Sequence, residues 1–342
     1  MEHKPKVLLT GITGFLGSHT AIQLIKKGYF VIGTLRDMSR EDHIRKIIEP
    51  QNGTSDNLKL VKAELNDPDI WKLLTKDVDY VQHIASPFPR TIPKNDEELI
   101  GPAKNGALNI LHSAAENGVK RVVMTSSVAA IVYGKQKKEL KETFNESHWT
   151  DPNNKKDTAP YFRSKAIAEK AAWEYIKGRP GLELTTVCPG AILGPVLEKD
   201  FGTSANLVIK LLDGSAPALP NIGFDVVDVR SVADLLILAM EKPSAAGQRF
   251  IATAGYLKMK EMAQILRKPY HDKKIPSMVI PDFMVRLFSN IDKTLKPVLI
   301  DLGVVRKTDS SKARKELGWE PIPVEEAVLS CAKSVIDLKI VN

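Results

Sequence analysis

Residues 11–17, Gly-Ile-Thr-Gly-Phe-Leu-Gly, constrain more than any other segment what this chain can fold into. They follow the apolar run of residues 7–9 and lead into residues 16–27, where apolar side chains recur at helical spacing until the chain reaches Gly28. The segment is therefore a glycine-rich turn between a buried strand and an amphipathic helix, at the start of the chain.

Each glycine of this turn has a different structural role. Gly11 permits a tight turn, Gly14 lets a pyrophosphate approach the backbone, and Gly17 lets the helix pack closely on the sheet. The N-terminus of the helix adds free N–H groups and the positive end of its dipole. A strand, this turn and a helix in that order predict dinucleotide binding.

The first half of the chain alternates short apolar strands with helical stretches. Such strands, separated by helices, are typical of a parallel sheet covered on both faces, and right-handed crossovers then give a doubly wound α/β (Rossmann) sheet. Further strands are predicted at residues 29–35, 58–61, 78–84, 121–125 and 182–188, with helices at 102–116 and 159–177. The polar residues 135–156 between them are interpreted as a solvated surface loop.

After about residue 190 glycine and proline recur and the alternation loosens. A strand at 225–229 and a helix at 231–240 are still evident. We therefore predict a dinucleotide-binding domain of residues 1–190, to which residues 224–252 return, and a smaller substrate-binding lobe of residues 191–223 and 253–342. That lobe should cover the carboxyl edge of the sheet, where such folds bind ligands.

Composition excludes several other classes of protein. The net charge of +8 (49 Lys and Arg against 41 Asp and Glu) is too modest, and the aromatic content of 6% too low, to predict nucleic-acid binding. Cys188 and Cys331 stand far apart, so neither a disulfide framework nor a metal site is expected. Without a signal-type segment or an apolar run long enough to span a bilayer, we expect a cytoplasmic protein that makes no membrane contact.

The end of the second strand indicates which dinucleotide is bound. An acidic residue there would accept hydrogen bonds from a ribose 2′-hydroxyl, whereas an arginine would pair with a 2′-phosphate. This chain has Arg36, followed by Asp37, with Arg40 as a second candidate for the phosphate. The planar guanidinium of Arg36 favours NADP(H) over NAD(H) as the cofactor.

Tyr161 and Lys165 are candidate catalytic residues because a spacing of four puts them on one face of the predicted helix. A cation one turn away should lower the pKa of the phenol and bring it toward useful acid–base chemistry. The fifth strand ends in Thr125-Ser126-Ser127 at the edge where the cofactor should lie, so a hydroxyl there could hold the substrate oxygen beside the phenol.

Together these motifs resemble those of the extended short-chain dehydrogenase/reductase family. The similarity is greatest to its branch of dihydroflavonol reductases, cinnamoyl-CoA reductases and microbial carbonyl reductases. The matching motifs are residues 10–17, Leu35-Arg36-Asp37, His83-Ile84-Ala85-Ser86-Pro87, Thr125-Ser126-Ser127, Asn145-Glu146-Ser147-His148-Trp149, the Tyr161/Lys165 pair, and residues 188–195 and 227–233.

The resemblance implies reduction of a carbonyl to an alcohol by hydride transfer from NADPH. In that scheme Ser127 orients the carbonyl, Tyr161 donates the proton, and Lys165 binds the nicotinamide ribose and tunes Tyr161. The cofactor site would comprise Gly11, Thr13, Gly14, Phe15, Leu16, Gly17, Arg36, Arg40, Glu64, Leu65, Ala85, Ser86, Thr125, Tyr161, Lys165, Pro189, Gly190, Ile192 and Ser204.

The resemblance also suggests a substrate preference. Flavonoid reductases carry an asparagine five residues after the catalytic serine, where this chain has Val132 followed by Tyr133. We therefore expect Val132 and Tyr133, with Ser127, to contact a less hydroxylated, more apolar carbonyl substrate.

Three alternatives remain open at this level. A sugar-nucleotide epimerase or dehydratase and a hydroxysteroid dehydrogenase share the scaffold, although the former commonly has an acidic residue at the position of Arg36. A protein that senses NADP without turnover is the third. We expect a monomer or a homodimer.

Overall fold

A computed structural model describes residues 4–87, 96–199, 201–290 and 298–341. Its largest feature is a seven-stranded sheet in which every neighbouring pair of strands is parallel. The strands are β1 (Lys6–Thr10), β2 (Phe30–Leu35), β3 (Leu58–Lys62), β4 (Tyr80–His83), β5 (Arg121–Thr125), β6 (Glu183–Pro189) and β9 (Arg249–Ala252). Their order, β3-β2-β1-β4-β5-β6-β9, confirms the doubly wound fold predicted from the sequence.

Helices cover both faces of this sheet. The helices of the described chain are α1 (Phe15–Lys26), α2 (Glu41–Asn52), α3 (Pro68–Leu74), α4 (Glu97–Glu116), α5 (Pro160–Ile176), α6 (Ala205–Leu212), α7 (Val229–Glu241), α8 (Met259–Arg267), α9 (Asp282–Phe288), α10 (Ser311–Leu317) and α11 (Val324–Asp337). None of them is long and apolar enough to cross a membrane.

The central strand β1 explains why the sheet is buried on both sides. Val7 and Leu9 point into a core shared with α1, α2, α7 and α10, whereas Leu8 points into the opposite core, shared with α3, α4 and α5. All three side chains are fully buried. A strand with two buried faces needs a continuous apolar run, and this is the pattern found in the sequence.

A second, three-stranded sheet forms the centre of the smaller lobe. It consists of β7 (Ala191–Leu193), β8 (Gly223–Asp228) and β10 (Gly255–Lys258), in the order β10-β8-β7, and packs with α6, α8 and α11. The strand predicted at 225–229 is therefore present as β8 but belongs to this small sheet. The next helix, α7, begins directly after β8 and packs in the core of the main sheet. The domain boundaries themselves stay a prediction.

Residues 135–156 are mostly exposed or half-buried, as their polarity suggested, but two buried residues anchor the segment to the rest of the fold. Phe144 and Thr150 are fully buried. Phe144 forms a β-bridge with Thr308, and the Thr150 hydroxyl donates to the carbonyl oxygen of Ala129 at 2.7 Å. The segment therefore packs beneath the turn that follows β5, which matters for the site described next.

Candidate active site

The glycine turn has the geometry that its sequence predicted. Gly11 adopts a left-handed backbone conformation (φ +75°), and a Cβ atom on Gly17 would lie 2.1 Å from the carbonyl oxygen of Gly11. A Cβ atom on Gly14, by contrast, would have its nearest neighbour 3.4 Å away. Gly14 precedes the first residue of α1, and no side chain caps that helix end. The first residues of α1, Phe15, Leu16 and Gly17, line the cavity described next, which suits this helix end to an anion.

A cavity of about 840 Å³ opens along the carboxyl ends of the central strands, directly above this turn. Every residue predicted to bind the cofactor lines this cavity except Arg40. Ser127, which was predicted to orient the substrate, lines it too. The predicted residues that line it are Gly11, Thr13, Gly14, Phe15, Leu16, Gly17, Arg36, Glu64, Leu65, Ala85, Ser86, Thr125, Ser127, Tyr161, Lys165, Pro189, Gly190, Ile192 and Ser204.

At one end of the cavity Arg36 is exposed and makes no hydrogen bond or ion pair with any described residue. The neighbouring Asp37 is occupied elsewhere. Its carboxylate accepts the backbone N–H of Ser39 at 2.9 Å, and hydrogen bonding by Ser39 lowers the pKa of Asp37. The acidic residue beside Arg36 therefore caps the following turn and leaves the guanidinium free for an anion.

Arg40 does not join this end of the cavity. Its guanidinium pairs with Glu198 at 2.6 Å, and His43 shares the same carboxylate at 2.8 Å. Glu198 lies 158 positions away in the chain, so the sequence offered no sign of this pairing. The structure thus corrects the assignment of Arg40 as a second phosphate partner.

Ser127, Tyr161 and Lys165 meet at the other end of the cavity. The Ser127 side chain hydrogen-bonds to Tyr161, and the Lys165 ammonium lies 5.9 Å from the centre of the Tyr161 ring. Thr125, two residues before Ser127, has a buried hydroxyl with no hydrogen-bond partner among the described residues. The three predicted catalytic groups therefore line one space with the glycine turn.

The electrostatics of this set differ from the sequence prediction. Desolvation raises the pKa of Tyr161 to about 12, and the hydrogen bond from Ser127 offsets only part of that effect. Burial also lowers the pKa of Lys165 to about 8. The prediction of a lowered phenol pKa is wrong for the free protein, because desolvation of the buried phenol is the largest influence on its pKa.

Val132 and Tyr133 do not line the cavity, in contrast to their predicted role in substrate binding. Both are buried in a separate cluster beside α5. Tyr133 stacks on Phe162, with ring centres 3.7 Å apart, and donates its hydroxyl to Asp301 at 3.2 Å. The inference of an apolar substrate from Val132 therefore loses its structural basis.

Sequence reasoning missed one buried polar residue next to the catalytic set. Glu169 lies on α5 one turn after Lys165 and is fully buried. The spacing Tyr161, Lys165, Glu169 was a visible signal, since a third ionisable residue continued the same helical face. Its partner Arg249, 80 positions away, was not visible in any local pattern.

Within the described ranges, no group of three or more His, Cys, Asp or Glu side chains is arranged to hold a metal ion. A doubly wound sheet, a glycine turn and a Tyr–Lys pair in one cavity define a nicotinamide-dependent oxidoreductase.

The chain belongs to the NAD dependent epimerase/dehydratase family, whose family model matches residues 7–252. This match confirms the resemblance to the extended short-chain dehydrogenases/reductases. Within that family the chain is an NAD(P)-dependent reductase.

Named relatives are reductases. The chain is 32% identical over 343 residues to cinnamoyl-CoA reductase CAD2 of Medicago truncatula, with 98% of this chain and 97% of the relative covered. It is 34% identical to tetraketide alpha-pyrone reductase 1 of Arabidopsis thaliana over 283 residues, covering 82% and 84%. The solved structure of yeast methylglyoxal/isovaleraldehyde reductase Gre2, complexed with NADPH, matches with a TM-score of 0.78 at 28% identity, covering 98% of this chain and 99% of Gre2.

Proposed function

We propose that this protein reduces an aldehyde or ketone carbonyl to the alcohol with NADPH, and that Tyr161 donates the proton. The single observation that carries the proposal is the common cavity in which the Ser127–Tyr161 hydrogen bond and Lys165 face the glycine turn. Relatives named as reductases, and the NADPH in the yeast Gre2 complex, support it independently.

The residues of the cavity fit NADPH on three separate observations. The space over Gly14 admits a pyrophosphate beside the helix N-terminus. Arg36 presents an unpaired guanidinium suited to a 2′-phosphate. The buried Thr125 hydroxyl lacks a partner within the described chain, and a polar group of a bound ligand would remove that cost.

The catalytic side chains have distinct tasks in this proposal. Ser127 and Tyr161 offer two hydroxyl groups to one carbonyl oxygen, which aligns the substrate and stabilises the negative charge that develops there. Bound NADPH supplies the hydride. Tyr161 then transfers its proton to the oxygen, and the Lys165 ammonium favours the phenolate that remains.

The high pKa of Tyr161 in the free protein agrees with a role as an acid. A phenol with a pKa of about 12 stays protonated throughout the neutral range, so the proton is present when the carbonyl arrives. The developing alkoxide is more basic still, which makes the transfer favourable.

A screen of NADPH oxidation tests this proposal, with aldehydes, α-dicarbonyls, β-ketoesters, flavonoids and cinnamoyl-CoA as substrates. Tyr161→Phe should lower turnover by about two orders of magnitude or more, the usual scale for loss of a general acid, while NADPH binding stays nearly intact. Tyr175→Phe, on the same helix but stacked on Arg179, is the matched control and should keep full turnover.

Two results would contradict the proposal. Turnover that is unchanged in Tyr161→Phe would remove Tyr161 from the chemistry. Purified protein that carries tightly bound NAD and converts a sugar nucleotide without added cofactor would favour the epimerase alternative instead.

A further inference from the structure

The strongest polar feature outside the proposed catalytic set is the carboxylate of Glu169. It is fully buried and accepts hydrogen bonds from five other side chains. The donors are Ser126 at 2.6 Å, Thr186 at 2.8 Å, Trp173 at 3.3 Å, Arg249 at 2.8 and 3.2 Å, and the Cys188 thiol at 3.9 Å. A buried charge is tolerated only when it is paired and hydrogen-bonded, and Glu169 meets both conditions.

Arg249 ties this carboxylate to the buried part of residues 135–156. One guanidinium nitrogen donates to the backbone carbonyls of Glu146 and His148, the latter at 3.0 Å. The guanidinium also lies 3.6 Å from the ring centre of Trp149. Only 9% of the Arg249 side chain is exposed. Arg249 lies on β9, the edge strand beside β6, and from there its side chain reaches Glu169 on α5.

Glu169 reaches the proposed catalytic groups by two short routes. Through α5 it stands one turn after Lys165, where side chains are neighbours, and its charge opposes the desolvation of the Lys165 ammonium. The second route runs through Ser126, the residue before Ser127, whose hydroxyl donates to Glu169. The backbone N–H of Ser126 donates to the carbonyl oxygen of Val187 at 2.7 Å, so both ends of this residue are fixed.

We propose that Glu169, held by Arg249, is a positioning residue of the reductase: it supplies a negative charge one helical turn from Lys165, and it fixes Ser126 so that Ser127 meets Tyr161. Glu169 is absent from the lining of the cavity and so acts only through these neighbours. The inference rests on the proposed function, since it assigns roles relative to the same three side chains.

The pH dependence of turnover can report on Lys165 because burial moves the pKa values of three nearby groups away from the neutral range. Tyr161 has a pKa of about 12, burial and the Lys165 charge lower the pKa of His83 to about 3, and burial raises the pKa of the Cys188 thiol. Glu98 of α4 lines the same cavity, and Asp96 is paired with Arg163 on the opposite side of α5. Between about pH 6 and pH 10 the alkaline limb thus follows Lys165.

The decisive experiment compares pH profiles of kcat/KM for wild type and Glu169→Gln, which keeps the shape and an acceptor but removes the charge. The alkaline limb should move to lower pH by about one unit or more, because a unit charge one turn away contributes that much in a protein interior. Glu174→Gln is the matched control, an exposed carboxylate on the same helix, and should leave the limb in place.

A merely structural role would lower kcat equally at all pH values and leave the limb unmoved, and that result would overturn the proposal. Ser126→Ala tests the second route and decides the matter if Glu169→Gln does not fold. It should lower kcat about five-fold or more without moving the limb, and an unaltered kcat would overturn the proposal. Failure of the proposed function shows separately, as full turnover in Tyr161→Phe.

Discussion

Arg36 and Asp37 are adjacent in sequence but differ in their contacts: the Asp37 carboxylate accepts the N–H of Ser39, whereas Arg36 lines the cavity and has no polar partner among the residues that the structure describes. The pair could have neutralised itself, which would have left no cation for a 2′-phosphate. The turn that Asp37 caps occupies its carboxylate instead, so the proposed role of Arg36 in binding a 2′-phosphate relies on this local hydrogen bond as well.

The first prediction follows from this arrangement. Arg36→Ala should weaken NADPH binding about 10- to 150-fold, the equivalent of one charge-assisted hydrogen bond, and should change NADH binding little. Fluorescence titration of each cofactor measures both constants. Arg40→Ala is the control, since Arg40 pairs with Glu198 outside the cavity. Equal losses for NADPH and NADH would contradict the phosphate assignment of Arg36.

The second prediction concerns the close packing of the glycine turn. Gly17→Ala should destabilise the fold by about 2 kcal/mol or more, because its Cβ would stand 2.1 Å from the carbonyl oxygen of Gly11 and the turn would have to move. NADPH binding should weaken as well. Denaturant midpoints and cofactor titrations measure both effects.

Gly101→Ala is the matched control for that substitution. Gly101 lies in α4, and a Cβ atom there would meet no atom of the described residues within 4 Å. Because Pro102 follows and disfavours a Cβ atom on the preceding helical residue, which offsets the usual gain of alanine over glycine, alanine should change stability by less than about 1 kcal/mol. If both variants behaved alike, steric contact at Gly17 would not be the cause.

The third prediction is a dependence of stability on pH that arises from Asp225. Burial raises the pKa of this carboxyl to about 6 in the folded protein, although Thr308 donates two hydrogen bonds to it. Because the folded pKa is raised, the stability that this group contributes is present below pH 4 and is lost as the pH rises through about 6.

Asp225→Asn removes that titration and keeps an acceptor for Thr308. The variant should therefore gain stability relative to wild type as the pH rises from about 4 to 7, as measured by denaturant unfolding at several pH values. The exposed Asp272→Asn serves as the control. A difference between Asp225→Asn and wild type that did not change with pH would count against the assignment.

The sequence was sufficient wherever function follows from short-range spacing. The continuous apolar run of β1 predicted a strand buried on two faces, and the turn of residues 11–17 predicted the shape of the phosphate site. Tyr161 and Lys165 are brought together by helical periodicity alone. Each of these relationships spans fewer than about ten residues and is decided by local backbone geometry.

Sequence reasoning failed where partners come from distant parts of the chain. Arg40 is paired with Glu198, and the Tyr133 hydroxyl is bonded to Asp301, so neither contacts the cavity. The pKa of Tyr161 could not be read from its spacing to Lys165, since burial, a property of the whole fold, is the largest influence on it. Such contacts depend on tertiary packing, which local patterns do not encode.

The junction of β8 with α7 restricts how the substrate specificity of this protein can be altered. Asp228 is the last residue of β8 in the small sheet and also caps α7, because its carboxylate accepts the N–H of Arg230 at 2.8 Å. After α7 the chain forms β9 in the large sheet and then β10 in the small sheet. The small lobe therefore cannot be exchanged as one continuous segment of the chain. A chimera joined at residue 190 would bring in β7 and β8 from the donor protein together with its counterparts of α7 and β9, which pack in the large sheet. Loop grafts avoid this disruption and are the better way to change the substrate specificity.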